Sequence, residues 1–147
     1  MRAVRPLASL VAVLSSAAMG FADPAADTCR LLEVTGQNKV DEVEPLINEL
    51  AERWAPQYRD NAVSTLEQLL REVRFDGGNA YVIATLGEDY EDHILAIRIV
   101  GGELAAARLT YEWTPKGMRL TVMNFKRRMS EMLPVGMPAS GSLIDCS

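Results

Sequence analysis

The stretch LAAARLTYEWTPKGMRLTVMNF, residues 104–125, decides the fold. Within it Leu109, Tyr111 and Trp113 alternate with Arg108, Thr110 and Glu112, the period of a strand buried on one side. Thr114-Pro115-Lys116-Gly117 reads as a turn in which the proline presets φ. Met118–Phe125 resumes an extended run, and Lys126-Arg127-Arg128 closes it. Two strands joined by so short a link pair antiparallel.

Two more strands lie upstream. Ala80–Leu86 and Ile94–Val100 are apolar and β-rich, with Gly87–Asp92 as a polar turn between them and Gly101-Gly102 as a tight hairpin before Leu104. Phe75-Asp76-Gly77-Gly78-Asn79 breaks the pattern and reads as a turn. Before it the period becomes helical. Asp27–Gly36 is a short helix capped by Asp27 or Thr28 and ended by Gly36. Val40, Val43, Ile47, Leu50, Ala51 and Trp54 form one stripe at spacings of three and four. Pro45 places the regular start of that helix near Asp41–Glu44, or a kink there, and Pro56 ends it. A third helix starts at Asp60 or Asn61 and buries Val63, Leu66, Leu70 and Val73. The expectation is an α+β domain: N-terminal helices packed on one face of a curved, four-stranded antiparallel meander.

Composition agrees with one globular domain. The chain has 147 residues, 48% of them hydrophobic and 24% charged, with a formal net charge of -5. That excludes a disordered tail, a collagen-like fibre and a multi-span membrane protein. The acidic balance argues against nucleic acid, which requires a basic face. Arg2 and Arg5 precede an uncharged apolar run, Leu7–Ala18, that falls short of the roughly 20 residues needed to span a bilayer. Gly20-Phe21-Ala22 puts small residues at −3 and −1 of a signal-peptidase site, so residues 1–22 read as a secretory signal peptide and the chain as exported, periplasmic or secreted. Removing 22 of 147 residues leaves 125, lowers Lys+Arg from 15 to 13 against 20 acids, and makes the net charge about −7. The domain would then be residues 23–133, followed by a tail, 134–147, without periodicity.

Cys29 and Cys146 are the two cysteines. In an oxidising compartment they most simply form one disulfide that tethers the tail. Closing so long a loop stabilises the fold by about 4–5 kcal/mol on the chain-entropy model. A redox pair usually sits close together, as in Cys-x-x-Cys.

The helix ending Leu69-Leu70-Arg71-Glu72-Val73, the strand Arg108-Leu109-Thr110-Tyr111-Glu112-Trp113 and the final strand Met118–Phe125 together resemble small exported NTF2-like (cystatin-like α+β) proteins. Those proteins often finish on a strand reading Gly-Trp-x-Leu, two or three residues, then Asn-Phe. Gly117, Leu120, Asn124 and Phe125 fit that ending, while Met118 replaces the tryptophan. The resemblance covers about residues 40–128 in element order and the last two strands in wording. It implies a cone-shaped sheet wrapped by helices around a pocket, a fold that hosts isomerases, dehydratases and many binding domains and so does not fix function.

His93, the single histidine, follows Glu88-Asp89-Tyr90-Glu91-Asp92. Asp89, Asp92 and His93 are the residues from which an acid/base or cation site could be drawn, although such a cluster between strands is usually a solvated turn. No Gly-x-Ser-x-Gly, P-loop or dinucleotide fingerprint occurs, and nothing points to a metal or a cofactor. Trp54, Tyr81, Tyr111, Trp113 and Met123 are the candidates for lining an apolar pocket, with core filling as the plain alternative. Lys126, Arg127 and Arg128, reinforced by Arg119 and Lys116, form a basic patch that could meet anionic lipid or an acidic partner. Homodimerisation stays open. Two functions follow. One is a non-catalytic exported domain binding a protein or small apolar ligand through the concave face of the sheet. The other is a small NTF2-like enzyme with an acid or His93 in the cone.

Overall fold

A computed structural model describes residues 23–133 and 140–147; the segment read as a signal peptide and residues 134–139 of the tail lie outside the described residues. Three helices come first: α1 (Pro24–Gly36), α2 (Val40–Leu50) and α3 (Pro56–Glu72). Strands β1 (Phe75–Leu86), β2 (Tyr90–Ile99), β3 (Leu104–Thr114) and β4 (Gly117–Lys126) follow, then a 3-10 turn at Met129–Glu131 and a short β5 (Ser142–Ile144). The chain is therefore α+β, as expected. The sheet is antiparallel, ordered β4-β3-β2-β1-β5, and open, with β4 and β5 as its edges. It has five strands rather than four. The fifth was hidden because three residues are too few to show a period.

The prolines and glycines act differently from the expectation. Asp23, not Asp27 or Thr28, caps α1: its carboxylate accepts the Ala25 N–H at 3.0 Å, and Pro24 occupies the first turn, where no N–H is needed. Starting the helix earlier turns Thr28 inward, on one stripe with Pro24, Leu31 and Thr35. Helix α2 carries Pro45 inside it and stops at Leu50, where the Ala51 N–H reaches the Ile47 carbonyl at 2.8 Å. Pro56 opens α3 instead of ending α2, and Trp54 lies in the link between them. The Gly77-Gly78 stretch is part of β1. Gly77 adopts φ +66 at a bulge between Phe75 and Gly78, and the Asn38 side-chain amide brackets Phe75, donating to its carbonyl at 2.8 Å and accepting its N–H at 2.9 Å. At Gly78 a side chain would collide with the Ala96 carbonyl oxygen, 2.3 Å from an added Cβ.

The helices cover one face of the sheet. Leu31, Val43, Ile47, Leu66 and Leu70 pack there on Leu95, Ile97, Ala107, Leu109 and Tyr111. The opposite face carries a smaller apolar cluster in which Met132, after the 3-10 turn, buries against Ile94 and Ala106, with Ile83, Met129 and Leu133 beside it. The chain thus leaves β4 across the face away from the helices, and β5 then pairs with β1 at the far edge. The edge strand β4 is partly protected: the Trp54 indole donates to the Leu120 carbonyl at 2.9 Å.

Candidate functional site

The turn before β2 is shorter than the sequence suggests. Gly87, at φ +52, reverses the chain within three residues, so Tyr90, Glu91, Asp92 and His93 belong to a strand rather than a solvated loop. Alternation then sends Asp92 and His93 to opposite faces, and both are buried. Asp89 stays exposed in the turn. The three residues from which a cation or acid/base site could be drawn therefore do not converge. Among the described residues, no cluster of three His, Cys, Asp or Glu side chains could hold a metal ion.

On the helix face, His93 joins a closed set of polar groups. Its Nδ1 lies 2.7 Å from the Thr28 hydroxyl on α1, which lies 2.9 Å from the Tyr111 hydroxyl on β3. Its Nε2 lies 2.8 Å from a carboxylate oxygen of Glu91. A carboxylate only accepts, so Nε2–H donates to Glu91; with a neutral imidazole Nδ1 then accepts from Thr28, which in turn accepts from Tyr111. The polar side-chain atoms of Thr28, His93 and Tyr111 all have partners. The His93 and Tyr111 rings also meet, with centroids 5.1 Å apart. Burial pushes the Tyr111 phenol well above its ordinary value of 10, against the opposing effect of its bond with Thr28.

Thr28, His93 and Glu91 have the order of a hydroxyl–imidazole–acid relay, with the usual roles of the two ring nitrogens exchanged. The chemistry stops there. Thr28, His93 and Tyr111 expose no surface, so a substrate has no access to the hydroxyl. The row works as a buried, fully paired network that fixes how α1 sits on the sheet.

Asp92 anchors the opposite face. Its carboxylate accepts the Arg108 Nε at 2.9 and 3.1 Å, a second bond from the Arg108 Nη2, and the Thr110 hydroxyl at 3.0 Å. The bonded Asp92 carboxylate raises the Arg108 guanidinium further above its already high value. The sequence puts Arg108, Thr110 and Glu112 on one face of β3, but it does not say that Asp92 of β2 is the acid that Arg108 meets.

The five aromatic and methionine candidates are scattered. Tyr111 is core, as its alternation predicts. Trp113 is 58% exposed, because the helix layer does not cover that end of β3. Trp54 and Met123 pack at the margin of the helix-side core, while Tyr81 is half-buried opposite Ile94 and Leu143. None of them lines the widest cleft among the described residues, of about 700 Å³, which opens between α1 and the edge of the sheet, walled by Arg30, Glu33 and Gln37 on one side and by Gly77, Asn79 and Asp145 on the other. Sequence reasoning missed it because β5, which forms part of its wall, was not foreseen.

Cys29 and Cys146 are joined, with Cα atoms 5.3 Å apart. Lys126, Arg127 and Arg128 are exposed at the end of β4, with Arg127 paired to Glu72. Arg119, near the start of that strand, and Lys116, in the turn before it, stand more than about 20 Å away along the strand and do not reinforce the patch. No helix among the described residues is long and apolar enough to cross a membrane. No family model, curated protein or solved structure matches the chain.

Proposed function

We propose that this chain is an exported, non-catalytic domain that binds a protein partner in the cleft between α1 and the β1–β5 edge. The observation that carries the reading is the full burial of Thr28 and His93, the hydroxyl and imidazole of the relay-like row, whose polar atoms are taken up by each other, Tyr111 and Glu91. A protein is favoured over a small apolar ligand because the cleft is open and its walls mix charged, amide and glycine residues. Strand β5 pairs with β1 only at Ala80–Val82, so Gly77–Asn79 offer strand edge on the cleft side to which an extended segment can add.

Export is supported by the disulfide and by the basic, apolar and small-residue order of residues 1–22. Cleavage after Ala22 would keep Asp23, whose carboxylate caps α1 and whose carbonyl accepts the Asp27 N–H at 3.0 Å. The NTF2-like relation is proposed for the order of helices and meander alone. The filled helix face and the open fifth strand depart from a cone around a pocket.

A photo-crosslinking residue at Asn79 tests the reading. In the exported protein it should give one defined adduct, absent when the same residue replaces Ser64 on α3, and a folded Thr28→Val variant should keep the adduct. Equal labelling from both positions, or none from Asn79, overturns the cleft. Loss of the adduct in folded Thr28→Val would favour the enzymatic alternative.

A further inference from the structure

We propose that the Cys29–Cys146 disulfide is a redox latch: a dithiol reductant that opens it releases residues 140–147 from the sheet and leaves the helix–sheet domain folded. The inference is independent of what the cleft binds.

The two ends of the bond are held very differently. Cys29 sits on α1, which Thr28, Leu31, Leu32 and Val34 anchor in the core. Cys146 is exposed and follows a strand with three register positions, Ala80 with Ile144, Tyr81 with Leu143 and Val82 with Ser142. Of the side chains on β5 only Ile144 packs on the core, while Leu143 is 65% exposed. The Asp145 carboxylate bonds only Ser147, two residues on, so among the described residues the side chains of Asp145 and Ser147 make no polar tie to the domain. A two-stranded pairing this short is marginal in water, and freeing eight residues returns their conformational entropy. The covalent bond therefore decides whether β5 is docked. Its loss removes one partly buried side chain, Ile144, from the rim of the helix-face core and leaves the fully buried residues Leu31, Val43, Ile47, Leu66 and Leu95 in place.

The exchange is balanced. A thiolate of the reductant attacks the exposed Cys146 sulfur, the bond to Cys29 breaks, and Cys29 leaves as a thiolate that takes up a proton. The reductant's second thiol then attacks its own sulfur in the mixed disulfide, releases Cys146 as a thiol and leaves the reductant oxidised by two electrons. The outer edge of β1 at Ala80–Val82 is uncovered, and the tail wall of the 700 Å³ cleft goes with it.

The test is an amide NMR comparison of the full chain, oxidised and after dithiothreitol, with Cys146→Ser as a second route to the open state. Resonances of residues 140–147 should move to random-coil positions in both. Those of β2 and β3 should stay dispersed, and reoxidation should restore the first spectrum. Two results overturn the latch. If β5 resonances do not move on reduction, the strand is docked without the bond. If all dispersion collapses, the bond is a staple of the whole domain.

Discussion

The two faces of β2 differ in what covers them, and the difference explains most of the molecule. His93, Leu95 and Ile97 point into a layer of three helices. Asp92 and Ile94, their immediate neighbours, point to a face covered by Met132 and its few companions. Both faces bury a polar cluster. On the helix side it is a chain of neutral hydroxyls ending at a half-exposed acid; on the other it is an ion pair whose arginine reaches solvent. A deep interior tolerates groups that satisfy one another, whereas a thinly covered face can keep a charge partly wet.

The largest expected effect separates the faces by one residue. Leu95→Ala should destabilise the fold by about 3–5 kcal/mol, and Ile94→Ala by about 2 kcal/mol, because the thin cover over Ile94 can collapse into the space. Denaturant unfolding of both variants reads this directly. Equal losses would mean that the two faces are cores of the same kind.

Next come the polar partners of the helix side. Thr28→Val and His93→Leu should each cost about 1–3 kcal/mol by stranding a buried group. The double variant should cost clearly less than their sum, since each removes the other's unpaired atom. Additive losses would break the link between α1 and β2.

Tyr111→Phe should cost about 1 kcal/mol at neutral pH. Its further signature lies in alkali. Folding raises the Tyr111 phenol above its ordinary 10, so the stabilisation of its protonated form is complete below pH 10 and is lost as pH rises beyond that. The variant should lose the part of the alkaline fall in stability that Tyr111 contributes, measured by melts across that range. An unchanged profile would place the effect elsewhere. The smallest effect is expected at the surface: Arg127→Ala, which breaks an exposed pair with Glu72, should change stability by less than about 0.5 kcal/mol.

Much of the fold was legible in the sequence, for identifiable reasons. Long elements with a clear period, such as β3 and the Leu66–Leu70 stripe of α3, declare themselves, as did the pairing of two cysteines. Prolines misled because the same residue can end one helix or open the next, and Pro56 does the second. The glycine pair at residues 77 and 78 looked like a turn because a bulge held by the distant Asn38 leaves no local trace. The polar row was illegible for a related reason. Its members come from α1, β2 and β3, and only the three-residue turn at Gly87 decides that His93 faces inward. Strand β5 owes its place to its partner β1 and to Cys29, neither of which is near it in sequence.

The central claim, that His93 is buried in a network with Thr28 and Tyr111 that solvent does not enter, is tested most directly by proton NMR of the hydroxyl groups. Separate, slowly exchanging hydroxyl signals for Thr28 and Tyr111 are predicted, with the Thr28 proton coupled across its hydrogen bond to His93 Nδ1. Hydroxyl signals averaged with water in the folded protein would reveal a solvent path to His93 and contradict it.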